Sequence, residues 1–457
     1  MIVLSGKRVA VVGLGVSGLA AARLAMANGA HLTLTDMKSE DALGAEVREQ
    51  IARLVEAGAR LSLGGHSEAE LERQDLVVVS PGVPVFAELR AAEERQVPVI
   101  GEVELAVRVL SGRAAVAPVV AVGGTNGKST TTSLLGAILE TAGQRAFVGG
   151  NLGEPLSDHV DEIWDSVVLE VSSFQLERVE AFKPKVSILL NVTADHLDRY
   201  PSFDAYARAK GNAFARQSAD DVAVVPYADE VCLREARRGR GRVVTFGRGG
   251  DVDITSDSIV DRKSGASFAR APLQLSGEHN AVNAAAAIAA ALALGVSHEH
   301  IRVALASFRG LPHRMVLVDE INGVRYYDDS KGTNVGAAVT ALLGLSEPRA
   351  VLIAGGREKG GSYAPLADAL REKGRAVVLL GEAQAAMAGA FVGAAPVHSV
   401  ASLADAVRLS HSLAHPGDAV LLSPACSSYD MFRDYKHRGD EFVREVSELP
   451  RTGRRDT

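Results

Sequence analysis

Short apolar runs alternate along this chain with longer stretches rich in Ala and Leu. The runs at 9–12, 76–79, 119–122, 167–169, 186–190, 350–353, 376–380 and 419–422 are almost wholly Val, Ile, Leu and Ala. Continuous apolar runs of this length, separated by helical stretches, predict parallel strands covered on both faces, and so an α/β class. Most of them end on glycine or a polar residue: Gly13, Ser80, Gly123, Glu170, Asn191, Gly381 and Ser423. Open α/β sheets bind ligands at that carboxyl edge, so functional side chains are expected there. Residues 281–295 (AVNAAAAIAAALALG) predict a buried helix stopped by Gly295, too short for the ~20 residues of a bilayer span. Between 242 and 275 the pattern changes to alternation, through Val243, Thr245, Val252, Ile254 and Ile259, which predicts a β insertion. The basic run at 234–242 reads as a solvated loop, and the tail from 451 as disordered.

Two breaks organise these elements. The small-residue stretch at 111–118 (SGRAAVAP) and the LPHR segment at 311–314 each precede a fresh strand pattern. They predict three domains, 1–111, 112–311 and 312–457, in line with about 150 residues per domain. Composition adds limits. Apolar residues at 47% and charged residues at 23% suit a soluble globular protein and exclude disorder, collagen and a coiled coil. Against 56 acidic residues stand 49 basic ones, a net charge of -7, which argues against nucleic acid or a membrane surface as partner. Cys232 and Cys426 form neither a disulfide framework nor a zinc-ligand spacing. With no secretory pattern at the N-terminus, a reducing, cytoplasmic location is expected.

Two glycine loops carry the candidate chemistry. Gly13, Gly15 and Gly18 form G-x-G-x-x-G between a strand and a helix, and Asp36 ends the next strand pattern. Such a loop lets phosphate oxygens approach the backbone at a helix N-terminus. A nicotinamide or flavin cofactor, another nucleotide diphosphate, or a tight turn without ligand all fit this motif alone. The second loop, GGTNGKST at 123–130, follows a strand and opens a helix. Backbone N–H groups would cradle phosphates, Lys128 would neutralise β/γ charge, and the Ser129 hydroxyl would ligate Mg²⁺. The loop is one residue tighter than G-x-x-x-x-G-K-[ST], because Val122 sits where the first glycine belongs. A dehydrogenase rarely needs an ATP loop. A ligase that activates a carboxylate with ATP, on a substrate carrying its own nucleotide, needs both.

The segment GTNGKST at 124–130 resembles the ATP loop of the Mur ligases and their relative folylpolyglutamate synthetase. Further segments, in order, narrow the resemblance: GGNLG at 149–153, LEVSSFQLE at 169–177, NVTADHLDRY at 191–200, GEHNAVNAAAA at 277–287, GLPHR at 310–314, YDDSKGTN at 327–334 and SPACSSYDMF at 423–432. Together they are similar to the branch of the Mur ligase family that adds D-glutamate to UDP-N-acetylmuramoyl-L-alanine in peptidoglycan synthesis. The resemblance implies a Rossmann-like UDP-substrate domain, a central P-loop-type ATPase domain and a Rossmann-like C-terminal domain for the amino acid, acting as a monomer. It assigns the first loop to the uridine diphosphate, with Val16, Ser17, Asp36, Met37, Lys38, Ser80 and Gly82 around it. Asn151, Ser172 and Gln175 would line the cleft for the rest of that substrate.

The implied reaction makes an acyl phosphate from the substrate carboxylate and ATP, which the amine of D-glutamate then attacks. Its attacking and accepting groups are both anionic, so charge neutralisation dominates. Gly124, Thr125, Asn126, Gly127, Lys128, Ser129 and Thr130 would hold ATP, with Asn283, Arg314, Asp329 and Lys331. Ser129 and Glu170 would hold one Mg²⁺. His196 and a carbamate formed from CO₂ on Lys210 would serve a second, and Lys128, His196 and Lys210 are the catalytic set. From the residues alone Lys210 is an ordinary surface lysine, Asp329 and Lys331 a surface pair, and Asp36 could be a purely structural acid. Thr333, Lys359, Ser428 and Tyr435 would hold D-glutamate. GGREKGGSY at 355–363 departs from the family pattern, as does Gly332, where Ala is common. The alternatives are another Mur ligase adding a different amino acid, an NAD(P)-dependent dehydrogenase fused to an ATP module, and a nucleotide-dependent switch without catalysis.

Overall fold

A computed structural model describes residues 2–113, 116–195, 199–271, 278–358 and 362–451. The tail expected to be disordered lies outside these residues from 452 onward. Three sheets follow one another along the chain. The first contains β1 (Arg8–Val12), β2 (His31–Asp36), β3 (Arg60–Leu63), β4 (Leu76–Val79) and β5 (Val99–Gly101), all parallel, in the order β3-β2-β1-β4-β5. The order reverses beside β1, so the ends of β1 and β4 share a crevice. There the Ser80 hydroxyl donates to the Gly13 carbonyl at 2.6 Å.

The second sheet contains β6 (Val119–Gly123), β7 (Ala146–Gly150), β8 (Ser166–Glu170), β9 (Val186–Leu189), β10 (Val222–Pro226), β11 (Arg242–Phe246), β12 (Val252–Ile254), β13 (Ser258–Asp261) and β14 (Ser267–Ala269). Its order, β14-β13-β12-β11-β10-β9-β6-β8-β7, places β6 between β8 and β9. The β insertion expected over 242–275 is an extension of this sheet. β11 continues it in parallel, and β12 to β14 turn antiparallel. The alternating residues Val252, Ile254, Ile259 and Phe268 are buried in one cluster with the Ala-rich helix Glu278–Ala293. Gly295 follows that helix at φ 81°, as its sequence predicts.

The third sheet contains β15 (Val316–Ile321), β16 (Val324–Asp328), β17 (Ala350–Gly355), β18 (Gly374–Leu380), β19 (Val397–Ser399) and β20 (Ala419–Leu422), in the order β15-β16-β20-β17-β18-β19. Among the described residues of this sheet, β15 alone pairs antiparallel.

One expectation fails locally. The basic run at 234–242 begins inside the helix Glu230–Ala236. Asp229 caps that helix on the Cys232 N–H at 3.0 Å, and Cys232, Leu233 and Ala236 bury one face, so Arg234 is helical and pairs with Asp204 at 2.9 Å. The first two sheets are joined by buried acids on the helix Glu102–Leu110. Glu102 accepts from the Ser157 N–H and hydroxyl, at 3.0 and 2.6 Å, and Glu104 accepts from the Ala181 N–H at 2.7 Å.

Candidate active site

The loop after β6 is held from behind. Asn191, at the end of β9, accepts from the N–H groups of Thr125 and Asn126 at 3.2 and 2.9 Å and donates to the Asn126 carbonyl at 3.1 Å. Gly127 caps the helix Lys128–Thr141 at φ 85°, and a Cβ there would lie 2.2 Å from Asn283 Oδ1. Only glycine fits that turn and that contact. The Lys128 ammonium folds back to the Thr125 carbonyl at 2.8 Å. Ser129 is half-buried at the mouth, whereas Thr130 is buried against the core and Gly124 lies behind the loop.

A cleft of ≈ 380 Å³ opens in front of this loop. Thr125 to Ser129, Asn151 and Glu170 form one wall. The other wall comes from the third domain, through Arg314, Lys331, Thr333 and Tyr435. Asn334 bridges the walls by donating to Asn126 Oδ1 at 3.3 Å. The ATP, Mg²⁺ and amino-acid candidates thus meet across a domain boundary, except that Gly124, Thr130, Lys210, Asn283, Asp329 and Ser428 among the described residues lie outside the lining of the cleft. Asn283 supports the loop from beneath. Asp329 is buried behind Arg314, accepting from the Ser423 hydroxyl at 2.7 Å. Ser428 is buried outside the lining, where its carbonyl accepts from Phe432 at 2.8 Å. His196 and Lys359 lie outside the described residues.

Electrostatics mark several of these groups. Glu170 is 3% exposed; Oε1 accepts from the Asn151 amide at 2.7 Å, while buried Oε2 has no hydrogen-bond partner among the described residues. An acceptor so placed wants a cation. Lys210 is no surface lysine. It is 3% exposed, donates to the Gly124 carbonyl at 2.8 Å and lies 4.5 Å from the Tyr206 ring centroid. The helix Phe203–Gly211 turns it inward with Tyr206, one helical turn before it. Burial, then repulsion from Lys128, holds its pKa well below the usual lysine value. Asp329 and Lys331 are not a surface pair either. Burial raises Asp329 to about 6, against the pull of Arg314 and Ser423. Burial lowers Lys331 to about 8, opposed by Glu170 and helped by Arg314, Lys128 and Lys436.

The first glycine loop forms a separate edge. Val16 and Met37 are 70% and 66% exposed, Lys38 and Gly82 are exposed, and Ser17 and Ser80 are half-buried. Asp36 accepts from the Leu14 N–H at 2.7 Å and the Lys38 N–H at 2.9 Å, one per oxygen, so it shapes the loop itself. Arg199 links this edge to the central domain by donating to the Val83 carbonyl and to Glu177, both at 3.3 Å. Ser172 and Gln175 form a reciprocal capping box on the short helix Ser173–Leu176. Four functional candidates carry no sequence assignment: Asn191, Asn334, Leu152 and Lys436. The strand-end rule that selects Glu170 also selects Asn191; the other three face the cleft only through tertiary packing.

Comparison with known proteins decides the family. Residues 7–101 match the Mur ligase MurD-like N-terminal domain, 122–291 the Mur ligase middle domain, and 313–426 the Mur ligase glutamate ligase domain. The chain belongs to the Mur ligase family. A relative from Desulfosudis oleivorans, named UDP-N-acetylmuramoylalanine--D-glutamate ligase, is 45% identical over 97% of this chain and 96% of its own length. A Mur ligase of the same name from Syntrophotalea carbinolica is also 45% identical, over 98% and 99%. Among solved structures, MurC from Thermotoga maritima matches with TM-score 0.60 and 22% identity, over 96% of this chain and 99% of that one. MurF from the same organism, in complex with ADP, matches with TM-score 0.61 and 18% identity, over 98% and 99%. At those identities the structures speak for the Mur ligase fold alone.

Proposed function

We propose that the chain is an ATP-dependent ligase that joins the carboxylate of UDP-N-acetylmuramoyl-L-alanine to the amine of D-glutamate through an acyl phosphate. The observation that carries this reading is the cleft itself. A phosphate-type loop with its lysine, a buried carboxylate with one unpartnered oxygen, and a cationic wall from another domain face one another. The full-length relatives named as D-glutamate ligases support the choice of substrates. A nicotinamide enzyme is disfavoured by those relatives and by the match of residues 7–101 to the MurD-like N-terminal domain.

Lys128 and the N–H groups of the loop bind the β- and γ-phosphates. Arg314 and Lys331 add positive charge from the opposite wall, and Asp329 accepts from the ATP ribose when the wall closes further. Asn283, beneath the loop, serves the adenine side. Val16, Ser17, Asp36, Met37, Lys38, Ser80 and Gly82 hold the uridine diphosphate, while Asn151, Ser172 and Gln175 lie toward its peptide arm. Thr333, Lys359, Ser428 and Tyr435 receive D-glutamate.

Mg²⁺ fits the orphaned Glu170 oxygen and the Ser129 hydroxyl. Ser129 and Glu170 would hold the ion from the protein side, leaving other positions for the oxygens of the nucleotide. Bound Mg²⁺ supplies charge neutralisation between two anionic reactants. Lys210 fits a carbamate, because its lowered pKa provides the neutral amine that takes up CO₂. The modified side chain, with His196, would hold a second cation, and its negative charge would replace repulsion of Lys128 by attraction. The reading includes a monomer in the cytoplasm. No helix among the described residues is long and apolar enough to cross a membrane.

An isotope experiment tests the chemistry. With ¹⁸O in the alanyl carboxylate, the acyl-phosphate route places one label in the released phosphate. Unlabelled phosphate would contradict it.

A further inference from the structure

One cation in the cleft has no role in the reaction described above. Lys436 lines the cleft beside Tyr435, in the first turn of the helix Tyr435–Ser447. Its side chain is exposed, and no described residue pairs with its ammonium. The position is electrostatically unfavourable even though Asp434 caps the helix, accepting from the His437 N–H at 2.8 Å. Lys331, on the same wall, is close enough for Lys436 to help depress its pKa. Among the described lining residues, four cations (Lys128, Arg314, Lys331 and Lys436) face a single carboxylate, Glu170.

Positive charge collected in excess on the walls of a cleft is discharged by an anionic ligand. The phosphates of ATP have Lys128 and the N-terminus of its helix on the opposite wall. The incoming amino acid brings two carboxylates, and the assignment above gives them one lysine, Lys359. We infer that Lys436 binds a carboxylate of the incoming acidic amino acid and so helps to set the preference for a dicarboxylate. Its neighbours support that placement: Tyr435 and Thr333, on the same wall, are the residues assigned to the same ligand. This inference rests on the proposed function.

The test measures KM for all three substrates, with thermal stability, in Lys436→Gln, Lys436→Arg and Lys436→Glu. Lys436→Gln is expected to raise KM for D-glutamate about 10- to 100-fold, the range for a lost charge-assisted hydrogen bond. Its KM for ATP should stay within about twofold. Its melting temperature should hold, because the ammonium is exposed and pairs with no described residue. Lys436→Arg should recover most of the affinity, and Lys436→Glu should do worse than Gln. A wild type that needs D-glutamate, with an unmoved KM in Lys436→Gln, overturns this inference alone. A rise confined to KM for ATP also overturns it and assigns Lys436 to the nucleotide. A wild type indifferent to D-glutamate overturns both this inference and the function on which it rests.

Discussion

Asn151 donates its side-chain amide to Glu170 Oε1 at 2.7 Å, which leaves Oε2 buried and without a partner among the described residues. The amide thus fixes the carboxylate and reserves one oxygen for a cation. Asn151→Ala should reduce affinity for Mg²⁺, or activity, by about 10- to 100-fold, as loss of an outer-shell partner does. Glu170→Gln should cost more. Mg²⁺ titration of the phosphate-release rate checks both.

Gly127→Ala should cost about 1–3 kcal/mol and abolish ATP binding. The residue is at φ 85°, and the added Cβ would meet Asn283 Oδ1 at 2.2 Å. Gly44→Ala is the control, since nothing lies within 4 Å of its Cβ and its φ is -62°. Nucleotide binding and thermal denaturation separate the two.

Asp329 gives an acid-side signature. Its pKa is raised from 3.8 to about 6, so between those values the folded chain holds a proton that the unfolded chain has lost. Its contribution to stability therefore declines as pH rises from about 4 to 6. The ionised form is the one that accepts from a ribose hydroxyl. KM for ATP should thus rise as pH falls below about 6, and Asp329→Asn should have a high KM with no such dependence.

Lys331 gives an alkaline signature. With its pKa lowered to about 8, it loses its charge above that pH in the free enzyme. The kcat/KM for ATP should fall above about pH 8, because that ratio reports free-enzyme groups. Lys331→Arg should carry the plateau higher.

Asn334 and Asn126 join the two walls at 3.3 Å. Asn334→Ala should raise KM for ATP about 3- to 10-fold, the worth of one neutral hydrogen bond, without altering either domain's melting.

Much of this architecture is legible in the sequence, for a definite reason. Strands buried on both faces are continuous apolar runs, and their ends mark the ligand edge. That logic reaches Gly13, Ser80, Gly123 and Glu170 directly, and it also selects Asn191. Less legible is anything set by tertiary packing. Lys210 reads as a surface lysine because no local pattern shows that its helix turns it under the loop. Arg234 reads as a loop residue because charge masks the cap at Asp229. Lys436 and Asn334 become cleft residues only when the third domain meets the second. The short strand β5 and the edge strand β19 lack the long apolar runs that announce the central strands.

The decisive measurement is phosphate release from ATP, Mg²⁺ and UDP-N-acetylmuramoyl-L-alanine, with D-glutamate, L-glutamate or no amino acid. Release should require both the UDP-sugar and D-glutamate, with L-glutamate inert. Release with some other amino acid instead would keep the ligase and contradict its specificity. Silence with every amino acid would contradict the ligase activity itself.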